Sequence, residues 1–302
     1  MRFSRSVINL WFCLAIILPA CQGLPTPTPN PEGSQPTQTA ASTPRETPPP
    51  TPGETDGGQL PQAPIKVVFF SADGTELQGT FYPAEATNRP VLVLMHWYQG
   101  DQDEWVEIAY WLQNRGGSGT ARGVPWLDPS WFPPLPEDAS YNVLTFTFRG
   151  CEGGCSQLLA EEWLEDALAS LAAARSLEGV NPNKVIAVGA SIGGDAAVSS
   201  CAAALEADPD ACLGALSLSP GSYLGTSYPE MAALLSDASR PAWCFYDKAD
   251  PDAVVCEEAS SSHYHKESWE GGNLHGMHLL TSTLDPLPLE RMIAFLELAA
   301  EE

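Results

Sequence analysis

The chain is 302 residues long, carries 38 acidic against 14 basic side chains, and has a formal net charge of −24. That balance disfavours nucleic acid and other polyanions as partners and fits a solvated surface that maintains solubility. The length permits one large domain or two small ones, but residues 24–62 hold mostly Pro, Thr, Gly, Gln and Ser, with almost nothing to bury, and read as a linker.

Residues 1–20 read as an export signal. Arg2 and Arg5 form a positive start, and the apolar run Leu10–Leu18 is too short to span a bilayer. Leu18-Pro19-Ala20-Cys21 resembles a bacterial lipobox, with Pro19 where a small residue is usual. Cys21 is then the candidate lipidated first residue of the mature protein, with ordinary cleavage or an uncleaved anchor as alternatives. Residues 21–63 become a disordered spacer that lifts the domain off the membrane. Residues 64–302, about 240 in number, suffice for one well-packed α/β domain. The expected location is the outer face of the cell membrane or the cell surface.

Ile65–Phe70 and Glu76–Tyr82 are strand-like runs around Ala72-Asp73-Gly74, a hairpin signal. Pro90–Met95 is a fully apolar buried-strand run ending in His96-Trp97-Tyr98, and Asp103–Gln113 has helical spacing. Residues 114–139 are rich in Gly and Pro but carry Trp126, Trp131 and Phe132. They read equally as a surface loop pinned by aromatics or as a wall over a site. Tyr141–Phe148 is a further strand, and Glu161–Ser176 an amphipathic helix. Strands are expected at Cys212–Leu218 and Ala242–Tyr246, with a short helix at Met231–Leu235 between them. His278–Leu280 is a last short segment, and Pro286–Glu302 a closing helix. Two antiparallel strands followed by strand–helix alternation predict a mostly parallel twisted sheet with helices on both faces. The short Pro220–Pro241 segment leaves no room for a large cap.

The sharpest signal is Asn183–Ser200. Lys184–Val188 reads as a buried strand, followed by Gly189-Ala190-Ser191-Ile192-Gly193 and a run of small helix formers. Strand, glycine-flanked serine, helix is the setting of a nucleophile elbow, where side chains beside the serine would collide with strand or helix. The serine then stands at a helix amino end, whose dipole favours a developing negative charge. A serine needs a base and a group to orient that base. Of five histidines, His263 and His265 lie in a polar Ser-rich stretch and read as exposed loop. His275, on a glycine-rich loop beside Gly276, is the preferred base over His278. Asp250, before Pro251 and after an apolar strand, is the preferred acid, with Asp247 in reserve; turn stabilisation is the commoner use of such an aspartate.

Export changes how the cysteines read. Beyond Cys13 and Cys21, six remain: Cys151, Cys155, Cys201, Cys212, Cys244 and Cys256. An even count in an oxidising compartment suggests disulfides, and the three pairs that bracket short loops (151–155, 201–212 and 244–256) are favoured. A metal or redox role for Cys151 and Cys155 lacks companions at ligand spacing.

From Ile65 onward the chain resembles the α/β-hydrolases, and within them the dienelactone hydrolase-like branch. Gly-Ala-Ser-Ile-Gly-Gly is similar to the elbow, PAWCFYDKADP to the strand and acid, and Asn-Leu-His-Gly to the histidine loop. The order Ser191, Asp250, His275 is also the family's. His96-Trp97-Tyr98 stands where the family has a His-Gly-x oxyanion turn, with Trp97 in the glycine position. FRGCEGGCS resembles the family's structural Asp-x-Arg-Gly-x-Gly-x-Ser loop, with Thr147 or a neighbour in the aspartate position. The resemblance implies a serine hydrolase acting through an acyl-enzyme, with backbone N–H groups of Tyr98 and Ile192 as oxyanion donors. No metal or organic cofactor is implied. The expected partners are a small-molecule ester and, through a lipid anchor, the membrane; a monomer is expected. A peptidase or amidase using the same groups, and a non-catalytic surface module on this fold, are the alternatives.

Overall fold

A computed structural model describes residues 60–301. The export signal, Cys21 and nearly all of the linker lie outside the described residues. Eight strands form one sheet: β1 (Ile65–Phe70), β2 (Glu76–Tyr82), β3 (Arg89–Met95), β4 (Asn142–Phe146), β5 (Val180–Ala190), β6 (Gly214–Leu218), β7 (Ala242–Asp247) and β8 (Tyr264–Trp269). Their spatial order is β1-β2-β4-β3-β5-β6-β7-β8. β2 pairs antiparallel with both neighbours, and every other pairing is parallel.

The helices are α1 (Val106–Gln113), α2 (Ala160–Arg175), α3 (Ile192–Ala207), α4 (Tyr228–Asp237), α5 (Ala253–Glu258) and α6 (Pro288–Glu301). Among the described residues, no helix is long and apolar enough to cross a membrane. The central strands are apolar throughout because both faces are covered. Val91, Val93 and Met95 of β3 face one core layer with Ala187 of β5, while Leu92, Leu94, Ile186 and Val188 face the other. Trp163 of α2 and Ala196 of α3 fill the first layer, and Ile108 of α1 and Phe295 of α6 the second.

The expected mostly parallel sheet with helices on both faces is the observed one, and between β6 and β7 the only helix is α4. One local expectation differs, and two local elements are added. Residues 264–269 are not a loop but the edge strand β8, paired in register with β7. An edge strand has one bonded neighbour and half-exposed side chains, so no apolar alternation announces it. His265 lies on the Trp243 ring at 4.2 Å, and Arg291 of α6 donates to Glu267 at 2.9 Å. The short segment expected at His278–Leu280 overlaps a 3-10 turn, Gly276–Leu279. Helix α5 had no counterpart in the sequence reading.

The structure pairs Cys151 with Cys155, Cys201 with Cys212, and Cys244 with Cys256. The second bond ties α3 to the segment just before β6, and the third ties β7 to α5. The loops that build the site below leave the carboxyl ends of β3, β4, β5, β6, β7 and β8, where open parallel sheets gather reactive groups.

Candidate active site

Ser191 occupies the junction of β5 and α3 with φ 52° and ψ −116°, a backbone conformation that costs energy for a non-glycine residue. Its neighbours explain the glycines. A Cβ on Gly189 would collide with the Gly193 carbonyl, and one on Gly193 with the carbonyls of Met95 and His96 at the end of β3. The elbow is therefore pressed against the strand that leads into the turn at Trp97–Tyr98.

Ser191 Oγ lies 2.8 Å from His275 Nε2, and His275 Nδ1 lies 2.8 Å from Asp250 Oδ2. An ionised carboxylate only accepts, so Nδ1 carries the proton, and Nε2 is left to accept from the serine hydroxyl. Asp250 is almost wholly buried. Burial opposes its ionisation, but the hydrogen bonds from His275 and the Asp252 N–H outweigh it and hold the carboxyl below its ordinary range. Asp247 is elsewhere: fully buried at the end of β7, it accepts from the Ala249 N–H at 2.8 Å as a turn aspartate.

His278 is not beside the serine. Its ring stands between Trp97 (4.9 Å, edge-on) and Trp126 (4.6 Å), and burial pushes its imidazole down from the ordinary value. Trp126 also donates to the Met277 carbonyl at 3.4 Å, and Trp131 to the Trp126 carbonyl at 3.0 Å. The 114–139 segment is thus pinned by its aromatics and also abuts the turn that follows His275.

Trp97 is accommodated by contacts that no local pattern announces. Its indole N–H donates to the buried carboxylate of Glu104, while the far side of the ring lies against Gly276. Any side chain at Gly276, which has φ 55°, would meet the indole. Next to it, His96 is fully buried; burial pulls its imidazole down to about 4, despite its bond to the Trp97 carbonyl, and keeps it neutral. Its Nδ1–H donates to the Trp97 carbonyl at 2.7 Å, and its Nε2 accepts from the Phe148 N–H at 3.0 Å. The loop closed by Cys151 and Cys155 grips the next carbonyl, the Cys155 N–H donating to Tyr98 O at 2.8 Å. In a trans peptide C=O and N–H point opposite ways, so fixing the Trp97 carbonyl also fixes the direction of the Tyr98 N–H. Ile192 opens α3, where leading N–H groups have no intrahelical partner. Arg149 binds Asp166 of α2 at 2.6 Å and Asp73 at 2.6 Å, anchoring the β4 loop from beneath.

Asp250, Asp252 and His275 are the described group whose ligand atoms come close enough to share a cation, within 4.8 Å of one another. The Nδ1 proton held by Asp250 stands in the way of such use.

A hydroxyl, an imidazole and a buried carboxylate in line are an arrangement that can move a proton off the hydroxyl; comparison with known proteins gives the class of the chain as a whole. Among solved structures, the chain is similar to the α/β hydrolase GrgF from Penicillium sp. sh18 (TM-score 0.59, 14% identity, covering 80% of this chain and 100% of that one). It is also similar to the Pyrococcus furiosus esterase Pf2001 (TM-score 0.52, 13% identity, 78% and 90% covered). A third likeness is to a dienelactone hydrolase-like promiscuous phosphotriesterase from metagenomic libraries (TM-score 0.52, 15% identity, 79% and 98% covered). These likenesses establish an α/β-hydrolase fold. The family model of acetyl xylan esterase (AXE1) matches residues 59–217, more than half of the chain, and the protein belongs to that family. It is a hydrolase acting on esters. No curated protein matches the sequence. The matched stretch contains the Trp97 turn and the elbow and ends before Asp250 and His275.

Proposed function

We propose that the protein is an exported serine esterase that removes small acyl groups, such as O-acetyl esters on a carbohydrate, through Ser191, His275 and Asp250. The observation that carries the reading is the unbroken relay of two 2.8 Å contacts from Ser191 through His275 to a buried Asp250. His275 Nε2 takes the serine proton as Oγ attacks the ester carbonyl carbon. Asp250 holds the ring and offsets the imidazolium charge. The tetrahedral oxyanion is received by the N–H groups of Tyr98 and Ile192, each such donor being worth about 10²–10³-fold in rate. Collapse expels the alcohol, which leaves with the proton from Nε2. Water, deprotonated by the same nitrogen, then releases the acid and restores Ser191. Three disulfides support an oxidising, extracytoplasmic setting, and Cys21 remains the proposed lipid attachment point. With only α4 between β6 and β7, the site favours short or accessible esters.

The test is hydrolysis of p-nitrophenyl esters from acetyl to long-chain acyl, and of acetylated xylan, by wild type and Ser191→Ala. Activity on the short esters that falls by about 10⁴-fold or more in the variant is expected. Equal rates in the two proteins would refute the mechanism, and a preference for long-chain acyl groups would refute the proposed specificity.

A further inference from the structure

The relay has a neighbour in Asp252, two residues past Asp250. Asp252 Oδ2 lies 3.9 Å from His275 Nδ1, too far for a hydrogen bond but close for two charges. A carboxylate whose side chain is 41% exposed would ordinarily swing into solvent and contribute little. Here it cannot swing freely, because the Tyr223 hydroxyl donates to the same Oδ2 at 2.6 Å.

Tyr223 is itself held from two sides. Its N–H and that of Leu224 donate to Asp195 Oδ2 at 2.6 and 2.9 Å. Asp195 is fully buried in the first turn of α3, four residues past the nucleophile. The tyrosine ring lies over Gly221, where any side chain would overlap it. The loop after β6 is thereby clipped to the elbow helix, and its phenol is delivered to the loop after β7. From there the Asp252 backbone N–H donates to Asp250 Oδ1 at 3.1 Å, so the turn that carries Asp252 also holds the Asp250 carboxylate. The titratable groups facing His275 are Asp250, Asp252, Tyr223 and, from the following turn, His278. Of these only the two aspartates supply negative charge, and His278, in its aromatic sandwich, is disfavoured from adding positive charge.

We propose that Asp252, pinned by Tyr223, is a second carboxylate of the relay: a positioning residue that holds the His275 imidazolium by charge while Asp250 holds it by hydrogen bond. The proposal rests on the serine esterase reading above. Asp250 fixes the tautomer; Asp252 adds attraction only when the ring is protonated, so it stabilises the state in which His275 has taken the serine proton.

The experiment compares wild type, Asp252→Asn and Tyr223→Phe by kcat/KM on p-nitrophenyl acetate across pH, with Asp250→Asn and the Asp250→Asn/Asp252→Asn double variant alongside. Removing a negative charge about 4 Å from the ring moves the acid limb of the profile to lower pH. With solvent on one side, the expected displacement in Asp252→Asn is about one pH unit. Tyr223→Phe should move the limb the same way by less, because the carboxylate remains but is no longer held. The double variant should be about 10-fold slower than Asp250→Asn alone. A profile whose limbs stay in place in Asp252→Asn, whatever happens to its height, would overturn the proposal, since a merely structural aspartate changes height only. Fluorophosphonate labelling of the wild type separates the two levels. Labelling at Ser191 with an unmoved profile defeats this inference alone, whereas no labelling defeats the esterase reading and this inference with it.

Discussion

Replacing Glu104 by glutamine tests how the large side chain at Trp97 is tolerated beside Ser191. Glu104 is only 5% exposed. Burial pushes its carboxyl up from an ordinary 4.5 to about 7, against the indole hydrogen bond of Trp97 and with a small further push from Asp101. In the unfolded chain the group ionises at its ordinary value. Below about pH 4.5 both states are protonated and there is no effect. Between 4.5 and 7 the unfolded state gives up its proton and the folded state keeps it, so stability falls as pH rises through this window. The shift, from 4.5 to about 7, corresponds to about 3 kcal/mol of lost stability above pH 7. Glutamine keeps an oxygen for the Trp97 indole and removes the titration. Other buried groups titrate nearby: His96, held neutral down to about 4, makes stability rise with pH over the same range, and Asp195, pushed up to about 6 mainly by burial, makes it fall. These terms cancel in the difference between variant and wild type. Urea unfolding from pH 4 to 8.5, disulfides intact, should show Glu104→Gln gaining on the wild type by about 3 kcal/mol across the range. A difference that stays flat with pH would refute the burial argument.

Further outcomes follow from the same geometry. Asp250→Asn should lower kcat by about 10⁴-fold, whereas Asp247→Asn, whose hydrogen bond is to its own turn at Ala249 and not to His275, should stay within a few-fold of wild type in the same p-nitrophenyl acetate assay. Removing the Cys151–Cys155 bond by serine substitution frees the loop that grips the Tyr98 carbonyl. It should lower kcat by up to about 10²-fold while KM changes little, as expected for loss of a contact made to the oxyanion alone. Removing Cys201–Cys212 should instead cost about 3 kcal/mol in denaturant unfolding and leave kcat near its original value.

What the sequence discloses depends on how local each constraint is. The elbow is legible because its steric demand falls within five residues, Gly189 to Gly193, and because the strand and helix around it are apolar on both faces. Asp250 and His275 were reached through loop chemistry, each sitting next to a residue that shapes a turn. β8 was missed because His263, His265, Lys266 and Glu267 look like solvent-facing loop. They lie at or in an edge strand whose polar side chains find partners on α5, α6 and the Trp243 ring. The Trp97–Glu104 bond and the Tyr223–Asp252 bond were illegible for a different reason. The first crosses a turn into a 3-10 helix, and the second joins loops 29 residues apart. Neither leaves a periodic or compositional trace. Gly276 shows the same limit: it reads as loop flexibility, yet its lack of a side chain is required by the indole of Trp97.

The central claim is that Ser191 is a nucleophile activated by His275. Reaction of the folded, disulfide-intact protein with a fluorophosphonate, followed by peptide mass mapping, tests it most directly. One adduct, on the peptide carrying Ser191 and strongly slowed in His275→Ala, is the predicted result. An unlabelled Ser191, or labelling at the same rate without His275, would contradict it.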